Sequence, residues 1–98
     1  MTAIDDSFVP HRAASVHAVE IDGEAVLLDE ATARLHLLNA TGTLVWRCFD
    51  GVSALSEIVD DVSAVMDVPR RQVLADSLAL VRRLVDERLL VDATSRTR

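Results

Sequence analysis

The apolar residues of this chain change their spacing at Asn39, and that change limits the folds open to it. Before Asn39 they alternate with a period of about 2, interrupted by short polar turns; after it they recur every three or four residues as far as Val91. Such a chain builds a small antiparallel sheet first and a set of helices second, an α+β arrangement. Asn39 suits the boundary, because an Asn directly before a helix accepts one of the backbone N–H groups that lack a partner in the first turn.

Within the first half, the β-prone runs Val16 to Ile21 and Glu24 to Asp29 flank Asp22 and Gly23. An Asp-Gly pair in that setting predicts a tight type I′ turn, which needs positive φ at both central positions. The turn sets the register: Ile21 faces Glu24, Val19 faces Val26 and His17 faces Leu28, so Val19, Ile21, Val26 and Leu28 share one face. A four-residue turn from Glu30 to Ala33 leads into a third strand, Arg34 to Leu38. Its Leu35 and Leu37 join that face as the inner side, while Arg34 and His36 point outward. No later stretch is a comparable strand, so one edge of the sheet keeps its backbone N–H and C=O groups free.

Three helices are predicted after Asn39. The first runs from Ala40 to Phe49, with Leu44, Val45, Cys48 and Phe49 as its apolar stripe and Trp46 at the margin, and Asp50-Gly51 ends it. The second has Ser53 as N-cap and carries Leu55, Ile58, Val59, Val62, Val65 and Met66, backed by a solvated face of Glu57, Asp60 and Asp61. The third starts near Pro69 and reaches Glu87. It shows two adjacent stripes: Val73, Ser77, Leu80 and Leu84, and beside them Leu74, Leu78, Val81 and Val85. One stripe facing the core and the other lining a groove would explain both. A single wide core stripe, bordered by Arg71 and Arg82 with their apolar stems laid along it, would explain them equally.

Composition narrows the function classes. Ninety-eight residues, half of them hydrophobic, suit one domain over 15–92, with a flexible N-terminal segment at 1–14, anchored only by Phe8, Val9 and Pro10, and a flexible tail at 93–98. The formal net charge is −6 and all ten basic residues are Arg, a balance that argues against a nucleic-acid surface. No run approaches the roughly 18 apolar residues of a membrane span, and residues 1–12 lack the apolar stretch of a signal peptide. A lone Cys48 in an apolar helical pattern excludes an internal disulfide and fits a cytoplasmic protein with an inert thiol. His11, His17, His36 and Cys48 have no metal-ligand spacing, and three glycines in total build no phosphate loop. The expectation is therefore no metal, no cofactor and no catalysis.

Val26 to Glu30, then Leu37-Leu38-Asn39-Ala40-Thr41-Gly42, Val45-Trp46, Asp50-Gly51 and the closing Leu84 to Leu90 resemble the PqqD-like family, the RiPP recognition elements. The resemblance spans Val16 to Val91 and is most specific in the Leu-Asn-x-Thr-Gly block with the aromatic that follows. It implies a winged-helix-like fold, three strands followed by three helices, and a module that binds the leader peptide of a ribosomally made precursor. In the family the leader adds as a strand to the third strand, in the groove beside the third helix, and is presented to a modifying enzyme such as a radical SAM protein or a leader peptidase. Carried onto this chain, the peptide-binding residues are Arg34, Leu35, His36, Leu37 and Leu38 on the strand. On the helix they are Arg71, Leu74, Leu78, Val81 and Arg82, from the second stripe. Ala33, Ala40 and Arg88 stand where the family often has Gly, Pro and Gly. The expected partners are a leader peptide and its enzyme, with no nucleic acid and no membrane, the chain being a monomer or weak dimer. The alternatives are a winged-helix DNA-binding regulator, which the negative charge opposes, and a homodimer that pairs its own free edge.

Overall fold

The computed structural model describes residues 4–93. Its strands are β1 (Pro10–Arg12), β2 (Val16–Ile21), β3 (Glu24–Asp29), β4 (Arg34–Leu37) and β5 (Leu90–Asp92), and its helices α1 (Ala40–Arg47), α2 (Leu55–Met66) and α3 (Arg70–Asp86). The antiparallel sheet β2-β3-β4 and the three helices form the expected α+β fold. The hairpin register follows from the turn, with Ile21 opposite Glu24, Val19 opposite Val26 and His17 opposite Leu28. Asp22 and Gly23 both take positive φ, 53° and 80°, as a type I′ turn requires.

The pairing is as read from sequence, but the face is reversed. Leu35 and Leu37 are 63% and 73% exposed, whereas His36 between them is only 8% exposed. Ala25 and Leu27, not Val26 and Leu28, meet the helices. The cause lies at α1: Thr43 sits against the sheet and its Oγ1 accepts the Ala25 N–H at 2.8 Å. A helix that close leaves room for Ala on the inner face, with Leu27 and Leu38 filling the flanks. Asp29 is also turned inward and buried, where Oδ1 accepts the Ala31 N–H and Oδ2 the Thr32 hydroxyl. These bonds shape the turn into β4.

A two-stranded ribbon, β1 with β5, adds to the three-stranded sheet. Phe8, Val9 and Pro10, the expected anchors of the N-terminal segment, are buried. The backbone there serves α2: the Phe8 carbonyl accepts the Leu55 N–H and the Asp6 carbonyl the Ser56 N–H, both at 2.8 Å. Two unpaired donors of the first turn are thereby satisfied by chain rather than by a capping side chain. Ser53 is accordingly not the cap; Ala54 takes that position and Glu57 Oε1 accepts its N–H. Ser53 instead bonds to Asp50, whose Oδ1 accepts its N–H and that of Val52. Gly51, at φ +75°, donates its N–H to the Pro10 carbonyl, and a β-carbon there would lie 2.6 Å from His11 Nδ1. Residues 1–3 and 94–98, which hold the outer parts of the expected flexible ends, lie outside the described residues.

The core forms where Leu27, Val45, Leu55, Val59, Val73 and Leu84 converge, all with 0% exposure. Trp46 is buried too, edge-on to Phe49 at 5.7 Å between ring centroids. The Arg12 guanidinium stacks over the Trp46 ring, 4.5 Å from its centroid, and Arg12 Nη2 donates to the Trp46 carbonyl at 2.5 Å.

Candidate functional site

The side of β4 that faces away from β3 is open. Leu38 donates its N–H to the Ala25 carbonyl at 2.9 Å. Because antiparallel pairs alternate, the backbone groups of Arg34, His36 and Leu38 turn toward β3, and the N–H and C=O of Leu35 and Leu37 turn to the free edge. The Arg83 side chain shows the same direction, since its Nη2 reaches across from α3 to the Leu37 carbonyl at 3.3 Å.

Between that edge and α3 lies a cavity of about 440 Å³. Leu38, Val45 and Leu80 give it an apolar floor, while Asp76, Ala79 and Arg83 stand exposed on its helical wall. Ser77 lines it from α3 with its Oγ buried and without a hydrogen-bond partner, so a group entering the cavity meets an unsatisfied hydroxyl. At the far end of α3, Glu87 Oε1 pairs with Arg34 Nη1 at 2.9 Å and ties the start of β4 to the helix. His36 Nε2, buried beneath, is 3.9 Å from the same oxygen, beyond hydrogen-bond reach.

The Leu-Asn-x-Thr-Gly block lines this cavity through Leu38, Asn39, Thr41 and Gly42. Asn39 Oδ1 accepts the Gly42 N–H at 2.8 Å and caps α1. At Gly42 a β-carbon would lie at ordinary contact distance, 3.6 Å, from Leu38 Cβ and Leu80 Cδ2, but only 3.3 Å from Asn39 Oδ1, so glycine there leaves room for the capping side chain. Thr41 lines the wall and Thr43 bonds to β3.

Of the residues expected from sequence, Leu37 and Leu38 line the cavity, Leu35 shares the free edge, Arg34 binds Glu87 and His36 turns inward. The helical set does not join them. Val81 is fully buried, Leu74 and Leu78 pack against the core, and the exposed Arg71 and Arg82 lie off the cavity wall. The helix instead presents Asp76, Ser77, Ala79, Leu80 and Arg83. One signal was available in the sequence: the first stripe is broken by a single small polar residue, Ser77, next to a mixed-charge row of Asp76, Arg83 and Glu87. On the α2 side of the helix, Arg70 Nε binds Asp60 at 2.5 Å.

Cys48, half-buried between α1 and α2, has its thiol pKa pushed up by burial first and by Asp61 and Asp50 next, which disfavours the reactive thiolate. Among the described residues no three His, Cys, Asp or Glu side chains gather as metal ligands, and no helix is long and apolar enough to cross a membrane.

These features define a class, an α+β domain whose open sheet edge runs beside a helix-lined groove. Residues 24–90 match the family described as Coenzyme PQQ synthesis protein D (PqqD), and the chain belongs to the PqqD family. It is similar to TbiB1, solved in complex with the TbiA(beta) leader peptide, with a TM-score of 0.70 and 32% identity over 81% of this chain and 92% of that one. No curated protein matches it significantly.

Proposed function

We propose that this chain is a non-catalytic cytoplasmic module, without a cofactor of its own. It captures the leader of a ribosomally synthesised precursor as an added strand on β4 and presents the precursor to a modifying enzyme, a radical SAM enzyme or a leader peptidase. The observation that carries this reading is the free backbone of Leu35 and Leu37 alongside the cavity of α3. The likeness to a chain solved with a leader peptide supports it.

Backbone pairing alone is too weak for the task. Four edge groups at about 1 kcal/mol each yield about 4 kcal/mol before the peptide's ordering cost, against the roughly 8 kcal/mol that a micromolar complex requires. The cavity must supply the remainder. A strand added at β4 sends alternate side chains toward α3. There the apolar floor of Leu38, Val45 and Leu80, the Ser77 hydroxyl and the charges of Asp76 and Arg83 choose among them. Arg83 leaves the Leu37 carbonyl as the incoming strand takes that acceptor. Capture then raises the effective concentration of the precursor at the enzyme.

Leu37→Pro tests the edge. The Leu37 N–H is not used within the sheet, so proline removes an edge donor from a position where it is tolerated. The expected result is a folded variant whose affinity for the leader peptide encoded beside this gene falls by about tenfold or more. Unchanged affinity in isothermal titration would remove strand addition at β4 as the mode.

A further inference from the structure

The outer face of the three-stranded sheet is apolar and uncovered. Val19, Ile21, Val26, Leu28, Leu35 and Leu37 stand on it, and all except the half-buried Val26 are exposed. The register makes them contiguous, with Val19, Val26 and Leu37 in one cross-strand row, Leu28 and Leu35 in the next, and Ile21 beside them. Isolated exposed apolar residues are ordinary, whereas a patch spanning three strands marks a surface that another molecule covers.

Two observations identify the occupant. First, carboxylates stand at both ends of the face. Glu24 lies opposite Ile21 with Asp22 in the adjoining turn, and Glu30 lies at the other end, 3.0 Å from His17 Nε2. A second copy of this chain would bring the same carboxylates against one another in either orientation, whereas a partner with basic groups around an apolar centre would meet them favourably. Second, the face is continuous with the peptide groove. Leu35 and Leu37 place side chains on it and backbone groups on the free edge. A leader added there becomes a fourth strand whose outward side chains extend the face.

We infer that this outer sheet face is the docking surface for the enzyme that acts on the captured peptide, and that the enzyme meets it with an apolar patch rimmed by Arg or Lys. The inference goes beyond leader capture by assigning the second partner its own surface. Seated there, the enzyme lies against the bound leader strand, next to the point where the rest of the precursor leaves it.

The test separates the two surfaces. Val19 and Ile21 lie on β2, two strands away from the leader edge, and both are exposed, so Val19→Asp with Ile21→Asp alters the face and leaves the groove intact. Binding is measured with the purified peptide-modifying enzyme encoded beside this gene, and separately with the leader peptide encoded there. In the folded double variant, enzyme affinity falls by about tenfold or more while leader affinity stays within about twofold. Wild-type enzyme binding weakens as salt rises from about 0.05 to about 0.5 M. Loss of enzyme binding in the variant when no leader binds either protein upholds the docking face and refutes strand addition alone. Enzyme binding unchanged by the double substitution, or absent from the wild-type chain, overturns the assignment. So does sedimentation of the wild-type chain as a dimer that the substitutions make monomeric, which would give the face to a second copy.

Discussion

At the scale of single residues, the backbone conformations of Ala33 and Arg88 carry the most information. Both adopt left-handed φ, 61° and 64°, where a β-carbon costs about 1–2 kcal/mol and glycine is favoured. Each is held there by its neighbours. The Ala33 N–H bonds to the Asp29 carbonyl at 2.7 Å and closes the turn into β4. Arg88 follows α3, and the next residue, Leu89, donates back to the Leu84 carbonyl at 2.8 Å. These are two of the positions where the family resemblance anticipates glycine, and the positive φ is the physical reason. Ala33→Gly and Arg88→Gly should each stabilise the fold by about 0.5–1 kcal/mol, net of the added freedom of the unfolded chain. Urea denaturation should show a raised midpoint with an unchanged slope.

At the scale of elements, α3 has to serve two surfaces. Its buried residues Val73, Ser77, Leu80, Val81 and Leu84 make one wide stripe against the core, and the groove is lined from the edge of that stripe outward. Sequence periodicity found both flanks of the stripe without indicating which flank faced β4. The choice depends on how α3 crosses the sheet, and that crossing depends on contacts from Glu87 and Arg83 to a strand some 46–53 residues earlier. Two adjacent arginines separate the alternatives. Arg83→Glu should weaken leader binding by about tenfold, because it removes a groove-lining cation and sets a carboxylate against the Leu37 carbonyl. Arg82→Glu, about 100° around the helix, should leave binding within about twofold. Titration of both variants with one leader peptide makes the comparison, and equal losses would return the site to the Leu78 side of the helix.

At the scale of the whole molecule, the sheet has an inner face with fewer large apolar residues than its outer one. Stability should follow the inner face. Leu27→Ala, at a fully buried position, should cost about 3 kcal/mol, and Leu28→Ala, one residue on and exposed, less than about 1 kcal/mol. Thermal unfolding of the two variants measures the difference, and comparable losses would put the core on the other side of the sheet. The boundary at Asn39, the Asp22-Gly23 turn, the strand register and the three helices were all legible in the chain itself, because each arises from local chemistry: a cap, a φ preference, a repeat of apolar residues. The ribbon of β1 with β5 was not, since three-residue strands are too short to show a period and their partners lie about 80 residues apart. Nor was the buried side of the sheet. Alternation shows that two faces differ, but which of them meets the helices is decided by the approach of α1, where Thr43 bonds to Ala25 and the small side chain admits the helix. The order of elements from β2 to α3 and the pairing of β2, β3 and β4 were therefore set by the sequence. The tertiary structure alone decided which apolar surface became core and which stayed open, because that choice depends on packing between segments distant in the chain.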